Sequence, residues 1–362
     1  MDFVIVLHGG AGTIEKDPAT VQGSPTVCGG EHTNALRSII SEGYHYAHSN
    51  LGNGVITAVD VVEYVASLLE NDPLFNAGYG AVYNSHGMHE LEASIMDGST
   101  KRSGAVMSMK TMRNPIKVAR QVLDRSHHCV LAGEAACDFG AANGCEVVEN
   151  NYFGTKRRRF QLKTMKAESL INGVGDIVQN SEDTSIVHES TDDWNEEELK
   201  SFSAQQETNQ RTGTIGVVAQ YKGSTAAATS TGGMTNKHPG RVGDSALIGC
   251  GTYADNATCA VSCTGVGELF IRHTVSSTIA HRMRFGDETL ESAVSNTIFN
   301  DLPAEAGGVI AVDLAGNATM KYNTMGMYRA QCRYSTGATA ADVGSANECL
   351  VAIWDDEVHF TL

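Results

Sequence analysis

No apolar run in this sequence approaches the ~18–20 residues that a membrane-spanning helix requires, so a soluble chain is expected. The nine cysteines, at 28, 129, 137, 145, 250, 259, 263, 332 and 349, contain no C-x-x-C pair and are odd in number. Reduced thiols in a cytosolic setting fit that pattern best. Basic charge is scarce: 26 Lys and Arg stand against 42 Asp and Glu, a formal charge of −16. Nucleic-acid binding needs the opposite, a basic footprint. No G-x-G-x-x-G is present, which removes the dinucleotide fingerprint. The first residues, Met1 to His8, have no basic segment and too short an apolar run for a secretion signal, so they read as a buried first strand. A cytoplasmic protein is expected.

What is present is globular: 41% hydrophobic and 19% charged residues. Length alone permits two or three domains or one large α/β domain. The clearest shift in composition runs from about Gly173 to Gln210, where ten acidic residues oppose the single Lys200. Such a segment reads as a mobile linker. Just before it, Lys156-Arg157-Arg158-Arg159 reads as a solvated helix start rather than an anion-binding patch. Apolar spacing predicts helices over 34–49, 54–70 (with Val55 on the apolar face), 113–125, 130–143, 267–284 and 288–299. Strands are predicted at 103–109, 214–221, 224–231, 246–250, 259–263, 307–313, 317–322 and 349–353. These elements come in blocks, which suggests layers rather than strict βαβ winding.

The chemistry centres on Arg211-Thr212-Gly213-Thr214-Ile215-Gly216, between the polar segment and an apolar run. A threonine hydroxyl is a weak nucleophile, but a threonine that begins a chain carries its own general base, the α-amino group. That amine has an ordinary pKa of about 7.7–8.0, suited to proton transfer near neutrality. Gly-Thr alone reads as a turn into a strand. Its company argues otherwise. Upstream, the glycines of His8-Gly9-Gly10-Ala11-Gly12 permit close backbone approach in a loop, and His8 alone reads as structural. Asn76-Ala77-Gly78-Tyr79-Gly80 is a second glycine-rich loop. Downstream, Arg241 and Asp244 stand three residues apart. That pair suits a zwitterion, with Arg241 on an α-carboxylate and Asp244 on an α-ammonium; the alternative is a salt bridge between the two. The Thr264 hydroxyl and the Gly265 N–H form a candidate oxyanion hole, whose loss typically costs about 2.7–4 kcal/mol.

Together these residues resemble the plant-type asparaginase and isoaspartyl peptidase family of N-terminal nucleophile hydrolases. The matching pieces are HGGAG at 8–12, NAGYG at 76–80, ASIMDG at 93–98, SGAV at 103–106, NPIKVAR at 114–120, GTIG at 213–216, TSTGG at 229–233, GRVGDS at 240–245, YADN at 253–256, TGVGE at 264–268 and NTMGMYR at 323–329. They cover nearly the whole chain except the acidic segment. The resemblance implies an α+β fold, a four-layer αββα sandwich, in a single catalytic domain over 1–362. It implies a precursor cut at Gly213/Thr214 into an α chain, 1–213, and a β chain, 214–362. Thr214 would be the nucleophile, Thr231 would orient it, Arg241 and Asp244 would clamp substrate, Thr264 and Gly265 would hold the oxyanion, and Asn76 would lie near the nucleophile. His8, Gly9, Gly10 and Gly12 would affect processing. A Na+ ion would be held by the backbone carbonyls of Leu69, Glu70, Phe75 and Asn76, with no other cofactor. Implied substrates are asparagine and β-aspartyl dipeptides, and the implied assembly is a homodimer of αβ units. The long acidic segment keeps a threonine aspartase-like protease as an alternative, and an uncleaved non-enzymatic relative is the other.

Overall fold

The computed structural model describes residues 2–14, 30–52, 54–171, 213–336, 348–355 and 357–362. The acidic segment expected as a linker lies outside the described residues. Strands are β1 (Phe3–Gly12), β2 (Leu91–Asp97), β3 (Ser103–Met109), β4 (Val130–Ala132), β5 (Ile215–Tyr221), β6 (Ser224–Thr231), β7 (Thr252–Ala254), β8 (Cys259–Gly265), β9 (Gly307–Asp313), β10 (Ala318–Tyr322), β11 (Gly326–Tyr334), β12 (Glu348–Ala352) and β13 (Glu357–Thr361). Helices are α1 (Gly30–Ser49), α2 (Ala58–Glu70), α3 (Pro115–Arg125), α4 (Gly133–Ala142), α5 (Lys156–Ile171), α6 (Gly267–His273), α7 (Val275–Gly286) and α8 (Leu290–Asn296).

Two sheets result, an α+β architecture. One has nine strands in the order β13-β12-β11-β1-β5-β6-β2-β3-β4, and the other has four, β10-β9-β8-β7. Pairing is antiparallel throughout except between β3 and β4.

Strand alternation assigns each side chain to a face. Phe3, Ile5 and Leu7 pack with Leu36 and Ile40 of α1, Val62 and Leu69 of α2, and Ile116 of α3. Val4 and Val6 point the other way, joining Val218 and Ala227 against Ala260, Ile310 and Val312 of the smaller sheet. That sheet's second face, with Val261, Val309 and Ala311, packs on Phe270, Ile279 and Val294 of α6 to α8. Small residues let the sheets come close: a Cβ on Gly216 would collide with Ser262 Oγ and the His8 ring. No helix among the described residues is long and apolar enough to cross a membrane.

Several elements differ from the sequence reading for local reasons. Helix α2 starts at Ala58 rather than 54, because Thr57 caps it and exchanges a capping box with Asp60. Val55 therefore lies outside the helix and is 78% exposed. Val130 to Ala132 pair with β3 before α4 begins. The helix expected over 267–284 is broken at Thr274, whose φ is +43°. Segment 246–250 contributes only an isolated bridge between Ile248 and Thr252, since Gly249 turns the chain at φ +92°. The basic start of α5 is not fully solvated: Arg158 is buried.

Helix α3 crosses β3 at Gly104, where any Cβ would strike the Ala119 carbonyl and the Leu123 N–H. Gly104→Ala is therefore expected to destabilise the protein by about 1–3 kcal/mol, the range for overpacking. Urea denaturation measures this, and an unchanged midpoint would show that the helix can shift without penalty.

Candidate functional site

Strands β5 and β6 are joined by Lys222-Gly223, whose φ values are +48° and +76°. Two consecutive positive φ angles define a type I′ hairpin, and its register runs from Tyr221 opposite Ser224 to Ile215 opposite Ser230. One step further, Thr214 faces Thr231. The Thr231 hydroxyl accepts from the Thr214 hydroxyl at 3.3 Å and from the Gly233 N–H at 2.9 Å, and it donates to the Gly213 carbonyl at 3.2 Å. Nucleophile candidate, partner and junction carbonyl thus share one oxygen.

Strand β1 supports the junction from the other side. The segment His8 to Gly12, expected as a loop, is the end of β1, with a bulge between His8 and Gly10 where pairing to β11 shifts. Gly10 has φ +120°, and a Cβ there would lie 3.0 Å from Gly213 Cα and 3.5 Å from Thr214 N. Gly9 lies against the Phe75 ring. Gly12 instead pairs with Gly326, and it lines neither of the clefts described below.

The buried His8 contacts the Thr214 carbonyl through Nδ1 at 2.8 Å and Ser262 Oγ through Nε2 at 3.0 Å. Burial pushes its pKa down to about 3, so the ring is neutral at pH 7. A carbonyl only accepts, which puts the proton on Nδ1 and makes Nε2 the acceptor from Ser262. His8 is thus a neutral, doubly hydrogen-bonded ring, and what it holds is the backbone of Thr214. Ser262, its second partner, carries no signal in the sequence because it comes from the other sheet.

A cleft of about 230 Å³ is lined by Thr214, Thr231, Gly233, Arg241, Asp244 and Gly265, among others. Thr264 stands behind it, fully buried, its hydroxyl accepting from the Ala11 N–H at 3.3 Å. Gly265 has φ +152° and backs onto Ala306 and Gly307, so no side chain fits there. Arg241 does not pair with Asp244. Its guanidinium forks onto Glu268 at 2.9–3.0 Å, a partner the sequence reading did not assign. Asp244 is buried, and its Oδ2 has no hydrogen-bond partner. Desolvation pushes its pKa up to about 7.

The segment carrying Arg241 and Asp244 is tied down by carboxylates from β2 and the residues before it. Glu92 accepts from the Gly243 N–H at 2.9 Å, and Glu90 accepts from the Gly240 N–H at 3.0 Å. Lys237 forms a buried ion pair with Glu92 at 3.4 Å and donates to the Glu90 carbonyl at 2.8 Å. These residues also went unassigned, since only folding brings β2 beside β6.

On the far side of Gly213, Asn76 donates to the Gly233 carbonyl at 2.7 Å and accepts from the Val82 N–H at 2.9 Å. The preceding turn is rich in carbonyl oxygens. Those of Leu69, Glu70 and Asn76 accept N–H groups of Asp72, Tyr79 and Gly232 at 3.3, 2.8 and 3.0 Å, and each keeps a second lone pair. The carbonyls of Pro73 and Phe75 both lie against Gly80. Neutral oxygens of this kind are the chemistry a hard cation takes. The Glu70 side chain turns away, accepting from Ser230 at 2.6 Å and Ile116 N–H at 2.9 Å. Among the described residues, no group of three or more His, Cys, Asp or Glu is placed to hold a metal ion.

With this geometry in view, an asparaginase family model matches residues 1–343. The chain is 40% identical over 330 residues to an isoaspartyl peptidase of Escherichia coli, an alignment covering 90% of this chain and 92% of that protein. It is 38% identical to a probable isoaspartyl peptidase/L-asparaginase of Arabidopsis thaliana, covering 90% and 94%. To the human isoaspartyl peptidase/L-asparaginase it is 33% identical, covering 90% and 92%.

The buried Asp244 carboxyl yields a stability prediction. Its folded pKa, about 7, lies above the ordinary value of about 3.9. The folded state therefore binds the proton more tightly, and stability falls as pH rises from about 4 to about 7. Asp244→Asn removes that penalty. The variant should be more stable than wild type at pH 8 by about 2–4 kcal/mol, with a smaller gain at pH 5, in thermal melts. No gain at pH 8 would mean that the carboxylate is compensated.

Proposed function

The chain belongs to the asparaginase family and is an amidohydrolase; we propose that it hydrolyses the side-chain amide of L-asparagine and the isopeptide bond of β-aspartyl dipeptides through Thr214, freed as a chain terminus by self-cleavage. One observation carries this reading. Thr214, hydrogen-bonded to Thr231, opens on the same cleft as the Arg241 fork and the Asp244 carboxyl, whose Oδ2 has no hydrogen-bond partner.

In the precursor, Thr214 Oγ attacks the Gly213 carbonyl carbon. Thr231 already accepts from the attacking hydroxyl and donates to the oxygen on which negative charge develops. The C–N bond breaks as the proton lost from the Thr214 hydroxyl passes to the nitrogen, giving an ester on Thr214 and a free α-amine. Water then cleaves the ester, leaving a carboxylate on Gly213. His8 holds the Thr214 carbonyl during this step, which fixes the backbone that must not move.

In turnover, the α-amine of Thr214 takes the hydroxyl proton as Oγ attacks the substrate's β-carbonyl. The Thr264 hydroxyl and the Gly265 N–H receive the oxyanion. The same proton passes to the leaving nitrogen, releasing ammonia or an amino acid, and water frees aspartate from the ester. Arg241, held flat by Glu268, takes the α-carboxylate, and Asp244 takes the α-ammonium. Because both contacts read the aspartyl unit, either leaving group suits one site.

The same reading makes the chain one catalytic domain, 1–362, that becomes an α chain of 1–213 and a β chain of 214–362. The three packed clusters support the layer order helix, sheet, sheet, helix of an αββα sandwich. A Na+ ion held by the carbonyls of Leu69, Glu70, Phe75 and Asn76 would order the turn that carries Asn76. A homodimer of αβ units in the cytoplasm completes the proposal, the compartment resting on the odd, unpatterned set of cysteines.

Thr214→Ala is expected to abolish both cleavage and hydrolysis, while Thr214→Ser retains part of each; hydrolysis by the alanine variant would remove the mechanism. A second expectation concerns pH. Asp244 must be ionised to take an ammonium, so KM for asparagine should rise as pH falls below about 7. Steady-state kinetics between pH 5.5 and 8.5 test it, and a flat KM would take the ammonium contact away from Asp244.

A further inference from the structure

A second cavity, of about 410 Å³, lies on the other side of the junction, and its lining includes Gly10, His32, Asn76, Arg158, Gln161 and Gly213. Its chemistry is not used by the reaction above. Arg158 is 7% exposed. It donates from Nε to the Gly80 carbonyl at 2.6 Å and from its terminal nitrogens to Gln161 Oε1 at 3.0 Å and the Leu74 carbonyl at 3.4 Å. All three acceptors are neutral. A guanidinium has five N–H donors, so two remain, and no carboxylate among the described residues pairs with it. Burial and the neighbouring charge of Arg157 push its pKa down to about 9, as expected of a cation lacking its anion. His32, stacked on Tyr328 at 4.4 Å, adds a buried Nε2 that also has no partner.

The self-cleavage proposed above creates an anion at this wall. Hydrolysis of the ester leaves a carboxylate on Gly213, whose oxygen begins at Thr231, where substrate must react. The new ammonium on Thr214 would hold that carboxylate as an ion pair and obstruct the cleft. Gly213 lines the cavity that contains Arg158, so rotation about its own backbone bonds carries the carboxylate toward a second cation. Resting on that cleavage, we propose that the second cavity is the receiving site for the α chain's terminal carboxylate, with Arg158 as its counter-ion, and that this withdrawal opens Thr214 to substrate.

A crystal structure of the cleaved wild-type protein tests this without any substitution. The account places the Gly213 carboxylate within hydrogen-bonding distance of the Arg158 guanidinium, about 2.7–3.2 Å. A carboxylate still on the Thr214 amine, or a Gly213 with no defined position, overturns it. Kinetics supply the second arm, with cleavage checked by intact mass. Cleaved Arg158→Gln should show a KM for a β-aspartyl dipeptide raised about tenfold, or about 1.4 kcal/mol of competition from the freed terminus. Its kcat should stay within about twofold, and Arg158→Lys should recover most of the KM. If Arg158 only braces the turn at 74–80, kcat and melting temperature fall together, lysine does not rescue, and the proposal fails. A wild-type chain that never cleaves overturns the cleavage reading and this one with it, whereas a cleaved chain with Gly213 elsewhere overturns this one alone.

Discussion

The turn at Lys222-Gly223 decides which threonines meet. A two-residue hairpin has one register, so counting back from Tyr221 and forward from Ser224 brings Thr214 opposite Thr231. A slip of one residue would send every side chain of β5 to the other face, placing Ile215 and Val217 in the seam between the sheets and Val218 among the helices. Burial on both faces forbids that slip. The 3.3 Å approach of the two hydroxyls is therefore held by the hydrophobic core as much as by the hydrogen bond itself. Everything else at the site is arranged around this pair: His8 and Gly10 from the adjacent strand, Thr264 and Gly265 from the opposing sheet, and Arg241 and Asp244 from the segment after β6.

Two groups near the junction lack the partner that burial demands. Asp244 has an orphaned carboxylate oxygen, and Arg158 has a guanidinium with only neutral acceptors. Each is unfavourable in the empty protein, and each becomes favourable when the complementary charge arrives. The first cleft carries both signs, Arg241 and Asp244, while the second holds Arg158 with no carboxylate partner among the described residues, so on the proposed reading the wall formed by Gly213 and Thr214 separates a place for a zwitterion from a place for a carboxylate. His8 lies between the sheets as a neutral ring, adding direction without adding charge.

Much of this was legible in the sequence where short motifs coincide with strand ends. Thr214, Thr231, Arg241 with Asp244, and Gly265 were all named there, and the structure brings them to one cleft, with Gly213 on the wall of the other cavity. Strands flanked by turn residues, such as 224–231 between Lys222-Gly223 and Gly232-Gly233, carried their own boundaries. Strand β11 was not read, although Tyr328, Ala330, Cys332 and Tyr334 alternate with Arg329, Gln331 and Arg333: polar residues at that density look solvated, yet Arg329 and Gln331 are buried. Arg158 was misjudged for a related reason. A run of four basic residues looks solvated, yet helical rotation turns one of the four inward. Glu268 as the partner of Arg241, and Ser262 as the partner of His8, depend on contact across 27 and 254 residues, which no local pattern encodes.

The most direct test of the account is a time course of intact mass and N-terminal sequence on the purified protein, with hydrolysis of asparagine and of a β-aspartyl dipeptide followed in parallel. The account predicts a fragment beginning Thr214-Ile215-Gly216 that accumulates in step with activity. Activity from a chain that remains whole would contradict it, because the base would then have to be some group other than the Thr214 amine.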